Sequence, residues 1–369
     1  MNESKVRVLI VDDSALMRKL LGDILSADSR IEVVGTAKDG VDGLAKVKAL
    51  SPDVMTLDVE MPNKDGLTVL RELMKTRPLP VIMVSSLTQE GAQTTLKALS
   101  LGCVDFVSKP SGAISTDIKE VAAELVSKVV MAKGAQVRFL PSLARRDAEN
   151  TKTSPLPISP ASPISPASSA RAPSFKGGRR ELVVIAASTG GPVALQQLLS
   201  KLPGDFPIPI AITQHMPKDF TSSFAKRLDS LSALSVLEGE EGLDLKAGCA
   251  VLAPGGSHLV VKRRPNGVPY CGLSDAPPVL SVKPSANIMF LSAADEFGGK
   301  VVGIVLTGMG RDGAEGAVAL HAKGAYIIAE AQETCVVYGM PKAAVEAGIV
   351  DELLPLNEIP DALLKSIKG

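Results

Sequence analysis

Two short apolar segments near the N-terminus each end in aspartate. Residues Val6–Val11 lead directly into Asp12 and Asp13, and residues Val54–Leu57 lead into Asp58. Short runs rich in β-branched residues are typical of strands buried on both faces of a parallel sheet. Because ligands bind at the carboxyl ends of the strands in such sheets, we expect the three carboxylates to form one oxygen-lined site. Mg²⁺ prefers such a site, since it takes one or two carboxylates, keeps several waters and accepts a phosphate.

Apolar runs alternate with helical patterns through the first 125 residues. Ser14 follows the first run as an N-cap candidate, and further apolar runs begin near residues 31, 80 and 105. This alternation predicts five parallel strands connected by helices. The fourth run ends at Ser85 and the fifth run leads into Lys109. The same rim of the sheet therefore gains a hydroxyl and an ammonium group.

A carboxylate on this rim can act as a nucleophile towards a phosphoryl group and form an acyl phosphate. A metal ion would neutralise the incoming charge, and Lys109 would pair with the phosphoryl oxygens. The alternative is a solvated acidic sheet end without chemistry. The combination of Asp58, Ser85 and Lys109 at strand ends argues against that alternative.

A second set of strand-like runs lies at residues 181–186, 209–213, 250–252, 301–306 and 326–329, and three of these runs end in polar turns that contain or adjoin glycine or proline. The first of these turns is Ala187–Pro192, where the glycines allow a tight strand-to-helix turn and the proline suits a helix start. Ser188 would lie there among free backbone N–H groups. Two functions fit this position: a nucleophile with a backbone oxyanion hole, or a phosphate cradle.

The chain has three histidines, and His215 is the strongest candidate for a general base. It lies in the second of the three turns, residues 213–217, directly after a buried strand and on the rim where Ser188 should lie. His321 lies near a predicted helix C-terminus, where it complements the helix dipole. His258 begins a strand after a glycine-rich turn; it either satisfies a loop or contributes to a site.

The third turn, residues 306–314, contains Asp312. Asp312 can orient a histidine and hold its tautomer, or cap the following helix, or pair with Arg311. A nucleophile, base and orienting carboxylate in the order Ser, His, Asp differ from the Ser, Asp, His order of α/β-hydrolases. Geometry defines a triad, so this order indicates a different fold rather than excluding the chemistry.

Composition limits the remaining possibilities. The 369 residues suggest two domains, and 40 basic residues balance 40 acidic ones, which predicts neither a nucleic-acid partner nor membrane insertion. The four scattered cysteines lack metal-ligand spacing and indicate a reducing compartment. No apolar stretch approaches the ~20 residues of a membrane span, and no signal peptide is evident, so we expect a cytoplasmic protein.

A linker separates the two halves. Six prolines lie from Pro155 to Pro173, in a stretch rich in serine and alanine. Such a segment cannot offset the entropy of ordering by burying a core, and proline favours extended polyproline II. We therefore predict an N-terminal domain at 1–135, a semi-rigid linker at 136–178 and a C-terminal domain at 179–369.

The N-terminal segment resembles the receiver domains of two-component response regulators. This resemblance implies a flavodoxin-like fold with Asp58 as the phosphoacceptor. It implies Mg²⁺ held by Asp13, Asp58 and the main-chain carbonyl of Glu60, with Asp12 in support. Ser85 and Phe106 fall at the hydroxyl and aromatic switch positions, and phenylalanine lacks the hydroxyl that a tyrosine there would offer. The matching stretches are Val11-Asp12-Asp13-Ser14, Leu57-Asp58-Val59-Glu60-Met61-Pro62, Val84-Ser85-Ser86 and Val107-Ser108-Lys109-Pro110.

The C-terminal segment resembles the methylesterase domain of the CheB family of chemotaxis protein-glutamate methylesterases. The resemblance implies a doubly wound α/β domain with Ser188 as nucleophile, His215 as base and Asp312 as its orienting carboxylate. Backbone N–H groups near Thr189 and Met309 would hold the oxyanion. The matching stretches are Ala187-Ser188-Thr189-Gly190-Gly191-Pro192, Gln214-His215-Met216-Pro217, Ala253-Pro254-Gly255-Gly256-Ser257-His258 and Thr307-Gly308-Met309-Gly310-Arg311-Asp312-Gly313.

The resemblance also implies substrates and partners. The substrates would be glutamate γ-methyl esters on the cytoplasmic helices of methyl-accepting chemoreceptors, hydrolysed with release of methanol and without a cofactor in the esterase. Glutamine deamidation at the same sites would use the same acyl-enzyme. A chemotaxis histidine kinase would donate the phosphoryl group, and the unphosphorylated receiver would mask the esterase. Two rival classes are a receiver with a DNA-binding output, which the zero net charge disfavours, and a non-catalytic docking scaffold, which the intact Ser188, His215 and Asp312 disfavour.

Overall fold

The computed structural model describes residues 4–86, 88–109, 117–137 and 179–368. Its N-terminal part is an alternation of five strands and five helices. The elements are β1 (Val6–Val11), α1 (Ala15–Ser26), β2 (Ile31–Ala37), α2 (Gly40–Leu50), β3 (Val54–Asp58), α3 (Gly66–Thr76), β4 (Val81–Ser85), α4 (Gln89–Ser100), β5 (Asp105–Ser108) and α5 (Asp117–Ala132).

The five strands form one parallel sheet in the order β2-β1-β3-β4-β5. Every side chain of β3 and β4 is buried, which is why these strands read as continuous apolar runs. Ser14 caps α1 as predicted, with its hydroxyl accepting the Met17 N–H at 3.3 Å. The sequence-based prediction of a five-strand parallel α/β fold is confirmed.

The C-terminal part is built on a second sheet. Its elements are β6 (Leu182–Ala187), α6 (Gly191–Leu199), β7 (Ile210–Gln214), α7 (Lys218–Leu231), β8 (Ser235–Glu238), β9 (Cys249–Leu252), β10 (His258–Arg263), β11 (Pro269–Ser274), α8 (Ala286–Phe297), β12 (Val301–Val305), α9 (Ala314–Ala322), β13 (Tyr326–Glu330), α10 (Met340–Glu346), β14 (Glu352–Leu354) and α11 (Ile359–Lys368).

Seven of these strands form a parallel sheet in the order β14-β13-β12-β6-β7-β9-β8. The remaining pair, β10 and β11, is an antiparallel hairpin. From β6 the strand order runs in one direction to β7 and in the other to β12. Ligands bind at such a topological switch point, beyond the carboxyl ends of the strands. The three polar turns of the sequence analysis all lie on this edge.

The predicted strands at β6, β7, β9, β12 and β13 are all present. The strand predicted to begin at His258 is β10, whereas the sequence analysis did not predict β8, β11 or β14. All side chains of β14, and all those of β8 except Val236, are exposed or half-buried, so these short strands lack the continuous apolar signal of a core strand.

The predicted linker, 136–178, lies outside the described residues except for its first two positions, and the domain boundaries stay predictions. Gln136, the first of these two residues, donates its main-chain N–H to the Val336 carbonyl of the C-terminal domain at 3.1 Å. Within the described ranges, no helix is long and apolar enough to cross a membrane.

Candidate active site

Ser188 lies immediately after β6, at the switch point of the C-terminal sheet. Its N–H donates to the Thr307 carbonyl at 3.1 Å, and its carbonyl accepts the Gly191 N–H at 2.7 Å. Gly190 has a φ of +79°, and a Cβ there would lie 2.6 Å from the Val336 Cβ, so the tight turn requires glycine. The turn leaves the Ser188 side chain half-buried at the start of α6.

His215 follows β7, the neighbouring strand, and its ring lies beside Ser188. Nδ1 of His215 is 3.1 Å from the Ser188 Oγ, and Nε2 is 2.8 Å from the Asp312 Oδ2. A carboxylate can only accept, so Nε2 carries the hydrogen and Nδ1 is free to accept the serine proton. The structure therefore brings the three predicted residues into one unbroken chain of hydrogen bonds.

Asp312 is buried, and four donors surround its carboxylate. Besides His215, Oδ2 accepts the Ala286 N–H at 2.6 Å, while Oδ1 accepts the Ser285 hydroxyl at 2.7 Å and the Asn287 N–H at 3.1 Å. Burial by itself raises the pKa of Asp312, but the hydrogen bonds from His215, Ser285 and Ala286 outweigh it and hold the pKa below its ordinary value. The carboxylate is thus ionised at neutral pH and firmly oriented.

Asp312 does not cap the helix that follows it, which was one of the alternatives considered from sequence. It instead accepts two N–H groups from the first turn of α8, where helix N-termini favour negative charge. In return, Asn287 of α8 caps α9, because its Oδ1 accepts the N–H groups of Gly313 and Gly316, each at 2.9 Å. This reciprocal capping locks the Asp312 turn against α8.

Ser285, Ala286 and Asn287 were missed by sequence reasoning. Residues 284–287 read Pro-Ser-Ala-Asn, a typical helix-start pattern. That pattern predicts a helix N-terminus but does not indicate which distant carboxylate it will face.

The main-chain N–H groups of Thr189 and Met309 lie on the two turns that meet at the serine. Thr189 follows Ser188 directly. Gly308 packs so closely against the serine that a Cβ there would lie 2.8 Å from the Ser188 Cβ, and Met309 is the next residue. Among the described residues, neither N–H donates a backbone hydrogen bond, so both are free to stabilise negative charge on a substrate oxygen.

The N-terminal rim brings together three carboxylates. Ligand oxygens of Asp12, Asp13 and Asp58 all lie within 4.8 Å of one another, and Asp12 and Asp58 are buried. Hard oxygen donors at this spacing fit Mg²⁺. The Glu60 N–H donates to the Asp58 Oδ1 at 3.3 Å, which holds Glu60 beside the site. That the main-chain carbonyl of Glu60 binds Mg²⁺ stays a prediction.

Lys109 and Ser85 occupy the same rim. The Lys109 Nζ is 2.7 Å from the Asp58 Oδ2 and 3.6 Å from the Asp12 Oδ2. Burial raises the pKa of Asp58 to about 6, although Lys109 opposes this shift. Ser85 is buried and accepts a hydrogen bond from the Thr95 hydroxyl at 2.8 Å, which ties the end of β4 to α4.

The α4, β5 and α5 elements of the N-terminal domain contact the C-terminal domain beside Ser188. Phe106 stacks on Phe220 with ring centroids 4.5 Å apart, and both rings are buried. Arg227 donates to the Ser100 hydroxyl at 2.8 Å. The resemblance to receiver domains implies that Phe106 lies at the aromatic switch position, which stays a prediction, and the sequence gave no signal for its partner.

The same face reaches both turns that carry the free N–H groups. The Thr189 hydroxyl donates to the Asp105 carboxylate, and the Ser127 hydroxyl contacts the Met309 Sδ at 3.7 Å. Burial alone lowers the pKa of Lys128, but the carboxylates of Asp105 and Glu124 outweigh it and raise the pKa. Lys128 thus stays charged and holds Asp105 at the contact.

Two family models match the chain. One, described as response regulator receiver domain, covers residues 8–119, and the other, described as CheB methylesterase, covers residues 183–363. The two matches follow the two sheets of the structure.

Curated relatives match nearly the whole chain. A protein-glutamate methylesterase/protein-glutamine glutaminase of Symbiobacterium thermophilum is 46% identical over 364 residues, covering 98% of this chain and 97% of the relative. A protein of the same name from Pyrococcus horikoshii is 45% identical over 365 residues, covering 99% and 94%. A third, from Oleidesulfovibrio alaskensis and numbered 1 under that name, is 46% identical over 367 residues, covering 98% and 99%.

Proposed function

The chain belongs to the protein-glutamate methylesterase/protein-glutamine glutaminase family, the CheB methylesterases with a receiver domain, and we propose that it hydrolyses glutamate γ-methyl esters on chemoreceptor cytoplasmic helices under the control of receiver phosphorylation. The observation that carries the proposal is the unbroken hydrogen-bond chain from Ser188 through His215 to Asp312. The proposed place of action is the cytoplasm.

In the proposed reaction, the Ser188 hydroxyl attacks the ester carbonyl while the His215 Nδ1 takes its proton. The resulting oxyanion accepts hydrogen bonds from the main-chain N–H groups of Thr189 and Met309, and one such donor typically lowers a barrier by roughly 3 kcal/mol. His215 then returns the proton to the departing methoxy oxygen, which leaves as methanol. Water hydrolyses the acyl-enzyme with His215 again as base, and Asp312 stabilises the imidazolium throughout.

Glutamine deamidation would follow the same path. Attack on a carboxamide forms the same acyl-enzyme and releases ammonia instead of methanol. The name shared by the relatives covers both activities.

In the receiver, Asp58 is the proposed phosphoacceptor. Its carboxylate attacks the phosphorus of a phosphohistidine on the kinase, the phosphorus–nitrogen bond breaks and the histidine leaves. Lys109, which lies 2.7 Å from Asp58, would pair with the transferred phosphoryl oxygens. Mg²⁺, when held by Asp12, Asp13, Asp58 and the Glu60 carbonyl, supplies positive charge for this transfer. The hydroxyl of Ser85, buried at the end of β4, would donate a hydrogen bond to a phosphoryl oxygen. Because Ser85 also contacts Thr95 of α4, its movement would displace α4.

Masking is supported by the contacts of the receiver with the catalytic turns. Asp105 holds the Thr189 hydroxyl and Ser127 touches Met309, so the receiver contacts both residues proposed to hold the oxyanion. A receptor helix would have to displace the receiver from these two turns to reach Ser188. Control requires that phosphorylation lower the affinity of the receiver for the esterase.

The test is methanol release from membranes that carry methylated chemoreceptors. Wild type and Ser188→Ala are each assayed with and without acetyl phosphate and Mg²⁺. Release that requires Ser188 and rises with acetyl phosphate supports both halves of the proposal. Release that requires Ser188 but ignores acetyl phosphate contradicts the switch, and no release from any receptor preparation contradicts the substrate.

A further inference from the structure

His258 is a buried imidazole outside the proposed triad. It begins β10, and none of its side chain is exposed. Its Nδ1 lies 3.0 Å from the Ser285 main-chain N, and its Nε2 lies 3.1 Å from the Pro277 carbonyl oxygen. An N–H can only donate and a carbonyl can only accept, so the partners fix a neutral ring with the hydrogen on Nε2.

His258 therefore holds the main chain of Ser285 at the point where α8 begins. Ser285 occupies the N-cap position of α8, but its side chain makes no capping hydrogen bond to its own helix. Its hydroxyl instead donates to the Asp312 Oδ1 at 2.7 Å. Because His258 holds the N–H, the Ser285 main chain is kept at a position from which the hydroxyl reaches the carboxylate.

The carboxylate of Asp312 has two oxygens with different tasks. Oδ2 accepts the His215 Nε2–H and the Ala286 N–H, and Oδ1 accepts the Ser285 hydroxyl and the Asn287 N–H. Rotation of the carboxyl group about its Cβ–Cγ bond would break the contact with His215 and the contact with Ser285 together. The Ser285 hydroxyl thus opposes the rotation that would release His215.

We propose that Ser285 and His258 are positioning residues of the esterase: His258 holds the Ser285 main chain, and the Ser285 hydroxyl holds Asp312 in the orientation that receives His215. This inference rests on the proposed role of Ser188, His215 and Asp312. It extends the hydrogen-bonded chain from three residues to five, of which only three carry out the reaction.

The test measures the nucleophilicity of Ser188 without a receptor. A fluorophosphonate probe phosphonylates an activated serine and loses fluoride, and the full-length protein is used throughout. We expect Ser285→Ala, which removes only the hydroxyl, to lower the second-order rate of labelling about tenfold. With a methylated receptor as substrate, kcat should fall by a similar factor and KM should stay unchanged.

A double-mutant cycle separates positioning from a general structural effect. If Ser285 acts through the carboxylate, Ser285→Ala should change the labelling rate less than twofold in an Asp312→Asn background. A tenfold effect in both backgrounds, or no effect in the wild-type background, would overturn the proposal.

Two variants of His258 supply a second test. His258→Asn keeps an acceptor near the Nδ1 position and should retain the labelling rate within about threefold, while His258→Leu removes it and should lose about tenfold. Tyrosine fluorescence checks that each variant is folded. Equal losses in both variants would refute the role of His258. Wild type that is not labelled at Ser188 would overturn the proposed mechanism itself, an outcome distinct from those that concern only Ser285 and His258.

Discussion

Glu330 gives a quantitative prediction, because it is a fully buried carboxyl group behind the active-site turn. It is the last residue of β13, and its Oε2 accepts the Thr307 N–H at 2.8 Å. Burial raises its pKa from 4.5 to about 7. The group is therefore largely protonated in the fold at a pH where the unfolded chain has already ionised.

The sign of the pH dependence follows from this difference. Below pH 4.5 the carboxyl is protonated in both states, so its contribution to stability is fully present. As pH rises towards 7 the unfolded state releases the proton first, and the folded state loses stability relative to it. Between pH 5 and pH 8 the expected loss is about 2.5 kcal/mol for the raised pKa of Glu330.

Glu330→Gln keeps an oxygen acceptor for Thr307 and removes the titration. We expect the stability of this variant relative to wild type, measured as the difference in the free energy of unfolding, to be about 2.5 kcal/mol greater at pH 8 than at pH 5. The chain has no tryptophan, and its three tyrosines, Tyr270, Tyr326 and Tyr338, all lie in the C-terminal half. Tyrosine fluorescence during urea unfolding of the full chain therefore reports on the esterase domain alone.

Glu358→Gln is the matched control, since the same chemical change is made at an exposed side chain. Its free energy of unfolding should stay within about 0.5 kcal/mol of wild type at both pH values. A Glu330→Gln variant whose advantage is the same at pH 5 and pH 8, or is larger at pH 5, would refute the reasoning.

Three further predictions follow from single contacts. Asn287→Ala leaves two buried N–H groups at the start of α9 without their acceptor and should lower the free energy of unfolding by about 2–4 kcal/mol; a loss below 1 kcal/mol by urea unfolding would contradict the capping role. Ser100→Ala removes one acceptor of Arg227 at the domain contact and should raise basal methanol release severalfold, with the acetyl-phosphate-stimulated rate unchanged; an unaltered basal rate would show that this hydrogen bond does not restrain the enzyme. Asp58→Asn should leave basal release intact and abolish stimulation by acetyl phosphate, and stimulation that persisted would place the phosphoacceptor elsewhere.

Some features of the site are local, and the sequence predicts them. A buried strand followed by a polar turn places its last residues on the carboxyl edge of a parallel sheet whatever the order of the strands. This is why Asp58, Lys109, Ser188 and His215 could all be assigned to a rim from their positions after apolar runs. The two-domain α/β fold follows from the same alternation of strands and helices.

The tertiary structure decided which rim residues meet. Strand order is set by packing between distant segments, so no single stretch of sequence predicts that β7 and β12 lie on either side of β6. The same holds for the three donors that the N-terminus of α8 presents to Asp312, because they lie 25 to 27 residues away from it along the chain. The stacking of Phe106 on Phe220 joins two domains across a proline-rich segment. Hydrophobic periodicity carries no information about such lateral partners, since it reports only which face of an element is buried.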